Sequence, residues 1–232
     1  LFFMLRETEE MKNNLVFNSR IMKKNSKSYA NLYLHRLKKR GFIKRIEKNL
    51  YTTHNEPFLV ASRIVWPSYI SCWTALKFHA LTEQVPLSIF VIVPYYKKSI
   101  VFRNTEIIFI KSKSKNMFGY EKINYKDAEI FIADKEKAII DSALFRKVSF
   151  SELQEIIKEN MKRINIRKFI NYLKLLKNSS LIKRFGFIFD KYGSDYHKAL
   201  KKYMDKTYIP LDYTKEKKGK KNKKWDIIEN VK

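Results

Sequence analysis

The stretch from residue 25 to residue 51 constrains the fold of this chain more than any other. It reads as an amphipathic helix over residues 27–40, followed by Gly41 and a short hairpin. Gly41 stands where the end of a helix needs a left-handed backbone, which glycine adopts at little cost. The apolar residues of the predicted helix recur at the i, i+3, i+4 and i+7 spacing of one face: Ala30, Tyr33, Leu34 and Leu37.

The residues after the glycine predict two short strands. Phe42, Ile43 and Ile46 begin the first, residues 47–49 can turn, and residues 50–52 can return. A helix followed by such a hairpin is the order of a winged helix-turn-helix, in which the helix enters the major groove of DNA. Two further helices, predicted near residues 3–12 and 18–23, would complete the unit. We therefore predict a winged helix-turn-helix DNA-binding domain over residues 1–53.

Positive charge is concentrated in the same stretch. From Arg20 to Lys48 there are eleven Lys or Arg residues and one acid, Glu47, in a chain of net charge +26. Such a density is typical of phosphate contacts, because cations displace the counterions condensed on a duplex. The alternative is a solvated lysine-rich face, since lysine is abundant along the whole chain.

The polar residues of a helix in the major groove fall into two groups, those that reach base edges and those that reach phosphates. Base edges come within reach of its N-terminal part, at Lys27, Ser28, Asn31 and His35. An asparagine can bind adenine bidentately, which is worth about 1–3 kcal/mol of discrimination; for His35, a surface position without contact is an equal alternative. Tyr29 and Tyr33 are expected to pack rather than to stack on bases. The remaining cations are expected at phosphates: Arg36, Lys38, Lys39, Arg40, Lys44, Arg45 and Lys48.

The rest of the chain predicts a second domain over residues 54–232, so that the fold class is α+β. Its core, residues 54–150, is mixed α/β with three or four strands. We expect a helix over residues 69–80 whose Ile70, Trp73, Leu76 and Phe78 face largely inward. Asp134 is the expected N-cap of another helix. Strands are predicted at residues 86–94, 99–102, 106–112 and 129–133.

Residues 151–212 are predicted to be helical. Ser151 and Ser180 are the expected N-caps, and a last helix is expected over residues 196–204. Gly186, inside a predicted helix, marks either a close backbone contact or a tolerated surface glycine. Residues 213–232 form a basic tail, predicted to be disordered as far as Lys224 but to turn back at Gly219 and dock a final strand.

The composition argues against several classes of function. Cys72 is the single cysteine and is expected to be a buried structural thiol; the four histidines lack the paired spacing of a zinc site. An acid-x-Lys pattern occurs only at residues 10–12 and 216–218, which argues against a nuclease. No apolar run approaches the roughly 20 residues that span a bilayer. We expect a cytoplasmic protein that is not an enzyme, takes no cofactor or metal and binds no membrane.

Five segments follow one another along the chain: HRLKKRGFIKRI, PFLVASRIVWPSYISCWTALKFHALTEQVP, KEKAIIDSAL, LIKRFGFIFD and YIPLDYTKEKKGKKNKKWDIIENV. With these segments in this order, the chain resembles over nearly its full length the AbiEi family of antitoxins from type IV toxin–antitoxin (abortive infection) systems. Asn49 departs from the pattern, since such proteins commonly have glycine at the hairpin turn, but asparagine tolerates the left-handed backbone.

The resemblance implies a winged domain that binds inverted repeats in its own promoter and represses the operon. It also implies a C-terminal antitoxin domain that counteracts a nucleotidyltransferase-like toxin, without a necessary stable complex; a monomer in solution is compatible with this. An RNA- or protein-binding winged module, or a regulator without a toxin partner, stays open. Lys183, Arg184 and the lysine run at 215–224 could hold DNA, RNA or an acidic partner, or be a solvated face.

Overall fold

The computed structural model describes residues 9–22, 26–126 and 128–231, which combine helices with three sheets. The predicted α+β class is therefore confirmed. The described residues divide into two units. The first contains the residues up to 70 together with 87–112 and 122–132. The second contains residues 71–86, 113–121 and those from 133 onwards.

The first unit contains a helix–hairpin segment, residues 26–52. The Ser26 hydroxyl caps its helix by accepting a hydrogen bond from the backbone N–H of Tyr29 at 3.3 Å. The helix is followed by Gly41, whose φ of +77° lies in the left-handed region. The predicted helix, glycine and antiparallel hairpin are thus confirmed. The elements are α1 (Lys27–Lys39), β1 (Lys44–Glu47) and β2 (Leu50–Thr52).

The chain before α1 contains less helix than predicted. Residues 9–13 are helical, so the first predicted helix ends one residue later than expected, and residues 1–8 lie outside the described residues. The second helix, predicted near residues 18–23, does not form as an α-helix over residues 18–22, where the chain makes a 3-10 turn at Ser19–Ile21 instead. Its predicted end at Lys23 lies outside the described residues.

Backbone pairing explains the missing helix. Phe17 is extended and exchanges two backbone hydrogen bonds of 2.9 and 2.8 Å with Tyr51 of β2. Asn18 continues the extended conformation, and its side chain accepts from the backbone N–H of Arg20 at 2.9 Å. The local sequence could not show that Phe17 serves as a third strand position beside the hairpin.

A short helix, α2 (Pro57–Ala61), is followed by a six-stranded mixed sheet. Its strands are β3 (Tyr69–Ile70), β4 (Ser88–Val93), β5 (Ile100–Phe102), β6 (Thr105–Lys111), β7 (Tyr120–Tyr125) and β8 (Ala128–Ala133). Their order in the sheet is β5-β6-β4-β3-β8-β7. Strand β4 runs parallel to β6 and antiparallel to β3, β3 runs parallel to β8, and β5 and β6 form a hairpin. The predicted strands are confirmed, whereas β3 and β7 were not predicted.

Strand β3 shortens the helix predicted over residues 69–80 to α3 (Cys72–Phe78). Ile70 is extended because it pairs with Val91 of β4 on one side and Ile132 of β8 on the other. A two-residue strand of this kind is fixed by its partners, which are distant in sequence. Helical spacing in the local sequence could therefore not reveal it.

The inward face predicted for this segment is confirmed in part. Ile70 and Leu76 are buried and Trp73 is half-buried, but Phe78 is 38% exposed, so its predicted inward position is wrong. Phe78 is the last residue of α3, and its ring meets the His79 ring edge-on. Cys72 is fully buried, and burial raises the pKa of its thiol, as expected of a structural cysteine.

Helices dominate the second unit: α4 (Lys135–Leu144), α5 (Phe150–Asn160), α6 (Ile166–Leu176), α7 (Ser179–Lys191) and α8 (His197–Leu200). Asp134 caps α4 as predicted, but α5 is capped by Ser149, which forms a capping box with Glu152. The predicted cap Ser151 instead donates its hydroxyl and backbone N–H to the carboxylate of Asp212.

Two further helix boundaries differ from the predictions. Helix α7 is capped by Asn178, whose side chain accepts from the backbone N–H of Leu181 at 3.1 Å, so the predicted cap Ser180 lies inside the helix. The helix predicted over 196–204 divides into α8 and a 3-10 turn at Lys201–Tyr203. Both differences move an end by a few residues and leave the predicted helical character intact.

The basic tail forms regular secondary structure at an earlier position in the sequence than predicted. A three-stranded sheet of β9 (Ile209–Pro210), β10 (Lys220–Asn222) and β11 (Ile227–Glu229) includes the middle of the lysine run, so the prediction of disorder to Lys224 is wrong. The hairpin turns after Asn222 rather than at Gly219. The docked end is confirmed: Trp225 is fully buried, and a Cβ on Gly186 would overlap its ring. Gly186 therefore marks a close contact.

Candidate nucleic-acid interface

Helix α1 is anchored through its apolar face. Ala30 and Leu34 are buried, and Tyr33 and Leu37 are partly buried. A helix held by one stripe presents its opposite side to solvent. The residues of the first unit that form this small core with the helix are Met11, Phe17, Met22, Ile43, Ile21 and Tyr51.

The polar face of α1 is exposed along its whole length. Of the eleven residues predicted to contact DNA on the helix and hairpin, ten are exposed and Lys44 is half-buried. This face is therefore accessible to an external partner rather than packed into the protein. The ten exposed residues are Lys27, Ser28, Asn31, His35, Arg36, Lys38, Lys39, Arg40, Arg45 and Lys48.

The hairpin is fixed by polar contacts at its turn. Asn49 adopts a φ of +57°, the left-handed conformation for which asparagine is suited. Its side-chain oxygen accepts a hydrogen bond from the backbone N–H of Ser19 at 3.2 Å. At the other side of the hairpin, Arg45 Nε donates to the backbone carbonyl of Glu47 at 3.1 Å. These contacts give the exposed cations of the hairpin a defined backbone.

The positive charge of this surface has no carboxylate partner among the described residues. Glu47, the single acid between Arg20 and Lys48, pairs with Lys97 at 2.6 Å. Within residues 9–22, 26–126 and 128–231, no carboxylate forms an ion pair with any of the cations predicted to contact DNA on the helix and hairpin. Exposed cations without partners attract an external polyanion.

A groove connects the end of α1 to β1, so that the helix and the hairpin share one surface. Its volume is about 650 Å³. The backbone of Gly41 forms part of its wall, and cations from both elements stand around it. The lining residues are Lys38, Gly41, Ile43, Lys44, Arg45, Ile46 and Glu47.

Two apolar side chains interrupt the exposed face of α1. Leu32 is 49% exposed and Tyr29 is 46% exposed. The ring of Tyr29 stacks on that of Tyr33, with the centroids 6.4 Å apart and the planes within 7°. Tyr33 packs against the small core as predicted, whereas Tyr29 is only half covered. The face therefore offers both polar and apolar contacts.

A second cleft of the first unit, with a volume of about 690 Å³, carries charges of both signs. Arg63 lies in it, with its guanidinium 5.4 Å from the Trp66 ring centroid and an Nη2 hydrogen bond of 2.9 Å to the Glu129 carbonyl. Its lining carries two Lys or Arg side chains and one acid, and it lacks the row of exposed cations that follows α1. The polar and aromatic lining residues are Lys12, Asn13, Asn14, His54, Arg63, Trp66 and Glu129.

Lys183 and Arg184, considered from the sequence as a possible binding surface, are internal to the second unit. The Lys183 ammonium is fully buried and donates to the Asp205 carboxylate and the Thr207 carbonyl, both at 2.6 Å. Arg184 Nε donates to the carbonyls of Pro210 and Leu211, and burial lowers the pKa of its guanidinium to about 10. These cations are occupied, so the interpretation as a surface for an external partner is wrong.

The structure also bears on metals and membranes. Among the residues that it describes, no group of three His, Cys, Asp or Glu side chains could hold a metal ion. Nor is any described helix long and apolar enough to cross a bilayer.

The fold resembles that of a solved structure over nearly the whole chain. The crystal structure of the RV2827C protein from Mycobacterium tuberculosis superimposes with a TM-score of 0.61 at 9% sequence identity, over 98% of this chain and 91% of that one. No protein-family model and no curated protein sequence matches the chain. At this identity, the structural similarity shows a shared fold and nothing about a shared partner.

Proposed function

We propose that the protein is a DNA-binding repressor whose helix–hairpin segment acts as a winged helix-turn-helix. The observation that carries the proposal is the exposed polar face of α1, whose cations have no carboxylate partner among the described residues. A helix of this width fits the major groove, and a hairpin beside it can reach the backbone. The pairing of Phe17 with Tyr51 supports this by attaching a third strand position to the hairpin.

Within this proposal the residues keep the roles expected from their positions. Lys27, Ser28, Asn31 and His35, on the first turns of α1, face base edges, and Asn31 binds an adenine. The later cations of the helix and those of the hairpin contact phosphates and set the register of the protein on the duplex. The phosphate-contacting set is Arg36, Lys38, Lys39, Arg40, Lys44, Arg45 and Lys48.

The same proposal includes an antitoxin activity in the C-terminal part, outside the helix–hairpin segment. It is supported by the resemblance of the ordered segments to AbiEi antitoxins, which implies action against a nucleotidyltransferase-like toxin and operon repression through inverted repeats. In this role the protein is a cytoplasmic binding protein without enzymatic activity. Growth rescue tests it: co-expression with a toxin encoded in the adjacent gene should restore growth, and failure to rescue would contradict the antitoxin role alone.

A second candidate is an RNA- or protein-binding winged module; a transcriptional regulator without a toxin partner is a separate case, which the growth-rescue experiment distinguishes. The half-exposed Leu32 and Tyr29 favour the RNA- or protein-binding module, because an apolar side chain on the contact face also suits an unpaired base or a protein surface. The two candidates differ in the polymer that is bound, and binding measurements can separate them.

Titration of the purified protein against three nucleic acids separates the candidates. These are the duplex upstream of its own gene, a scrambled duplex and an RNA hairpin, each at roughly 50 and 200 mM salt. A repressor should prefer the upstream duplex by about 10³-fold or more, since specific sites exceed nonspecific ones by at least that factor. Equal affinity for all three polymers would contradict the repressor and favour the alternative.

A further inference from the structure

The loop at residues 94–99 presents cations and aromatic rings beside the hairpin. It connects β4 to β5, and β5 lies against β1 within the first unit. Tyr95 and Tyr96 are 51% and 72% exposed, and Lys98 is exposed. No acid occurs from residue 87 to residue 105, whereas Lys97, Lys98 and Arg103 all carry positive charge. The positive surface of the hairpin therefore continues onto a segment some 50 residues later in the chain.

Lys97 fastens this loop to the hairpin. Its ammonium lies 2.6 Å from a carboxylate oxygen of Glu47 and 5.5 Å from the centroid of the Phe109 ring. The two paired side chains are 19% and 36% exposed, so the pair is partly shielded from solvent. This geometry fixes Lys98, the next residue, close to β1.

The ion pair also changes the charge that a polyanion would meet. Glu47 is the single acid in the cationic stretch from Arg20 to Lys48. An unpaired carboxylate there would repel phosphates, and at physiological salt such repulsion acts over about 8 Å. Lys97 cancels this charge, which makes the hairpin surface cationic throughout.

We propose that the loop at residues 94–99 is a third element of the DNA interface, in addition to α1 and the hairpin. Lys98 and the Tyr96 hydroxyl donate to phosphates of the duplex that α1 enters, because lysine and tyrosine are both common donors to the DNA backbone. Lys97 is a positioning residue that holds the loop and neutralises Glu47. The inference rests on the proposed repressor function and adds a contact that the sequence did not predict.

Removal of one exposed charge tests the contact. Lys98→Gln should reduce the magnitude of the salt slope of operator binding by about 0.9, the value for one lost phosphate contact, and weaken operator and scrambled DNA alike. Lys162→Gln, which removes an exposed lysine from a 3-10 turn of the second unit, is the matched control and should leave the slope unchanged. If both variants change the slope equally, or neither does, the loop is not part of the interface.

The positioning role of Lys97 has its own test. Lys97→Met should weaken binding to both duplexes several-fold, and the added substitution Glu47→Gln should restore most of the loss by removing the exposed carboxylate. Thermal unfolding of each variant checks that the first unit is folded. A double variant as weak as Lys97→Met alone would overturn the neutralising role.

The failure of this inference can be told from that of the proposed function. If the wild-type protein does not prefer its upstream duplex to RNA and scrambled DNA, the repressor proposal fails and the inference fails with it. If the wild type shows the preference and Arg45→Ala flattens the salt slope while Lys98→Gln does not, the inference alone is overturned.

Discussion

The cations of the helix–hairpin segment and two buried lysines of the second unit stand in opposite environments. At the C-terminal end of α1, Lys38 and the cap residue Arg40 are exposed and have no carboxylate partner among the described residues. In the second unit, Lys137 and Lys183 are fully buried and paired with Asp141 and Asp205. The same residue types thus serve two purposes: a buried cation is part of the packing, whereas an exposed and uncompensated one is available to an external anion.

The largest effect on stability is expected at the buried pair of Lys137 and Asp141. Asp141→Ala should lower the free energy of unfolding by about 3–5 kcal/mol, because it leaves a desolvated ammonium without its carboxylate. Lys38→Ala, at an exposed and unpaired cation, should change it by less than about 0.5 kcal/mol. Urea unfolding of both variants measures the two changes in the free energy of unfolding. Equal changes would contradict the contrast between buried and exposed cations.

Packing in the second unit should produce the next largest effect. Gly186→Ala should cost about 1–3 kcal/mol, because the added methyl group overlaps the ring of the buried Trp225. Gly193→Ala is the control, since the added methyl group would meet no packed atom within 4 Å and the change brings only the backbone strain of a φ of +84°. Its cost should be about 1 kcal/mol. Thermal unfolding that ranks Gly193→Ala as the more harmful change would contradict the docked position of the tail.

The exposed face should control specificity and leave stability unchanged. Asn31→Ala should lose about 1–3 kcal/mol of discrimination at one base pair of the operator, while its affinity for scrambled DNA and its melting temperature stay the same. Ser28→Ala, on the same face, provides a neighbour of similar exposure for comparison. Binding to operators with single base changes identifies the base pair that Asn31 contacts. An unchanged base preference in both variants would contradict the placement of α1 in the major groove.

Acid should affect the second unit through Asp212. Burial opposes its ionisation, but hydrogen bonds from Ser151 and Thr214 outweigh burial and lower its pKa from 3.8 to about 2. Because the folded pKa is depressed, its contribution, less than about 2 kcal/mol, is present above pH 4 and lost as the pH falls through 2. Asp212→Asn should flatten the stability profile in this window, as followed by circular dichroism; a profile that matches the wild type would refute this assignment.

The sequence predicted those parts of the fold that depend on neighbours along the chain. The helix, Gly41 and hairpin, the strand predicted at residues 86–94 and the Asp134 cap all follow from local spacing and cap chemistry. Strand β3 escaped prediction because Ile70 is extended only through its partners Val91 and Ile132. The Phe17–Tyr51 pairing escaped for the same reason.

The candidate site shows the same division. Its helix and hairpin residues could be predicted, because period and charge are visible in one short stretch. Lys97 and Lys98 could not be predicted, since they follow β1 by some 50 residues in the sequence and only the fold brings them next to it. Conversely, Lys183 and Arg184 have the same charge as surface residues, and nothing in their local sequence showed that they are buried.

The salt dependence of operator binding measures whether the cations at the end of α1 contact phosphates. One triple variant replaces Lys38, Lys39 and Arg40 of the helix–hairpin segment by glutamine, and a matched one replaces the exposed tail residues Lys217, Lys220 and Lys223. We expect the first to reduce the magnitude of the log–log salt slope by about 2–3 and the second to leave it unchanged. A slope that falls only in the tail variant would contradict the assignment of DNA binding to α1.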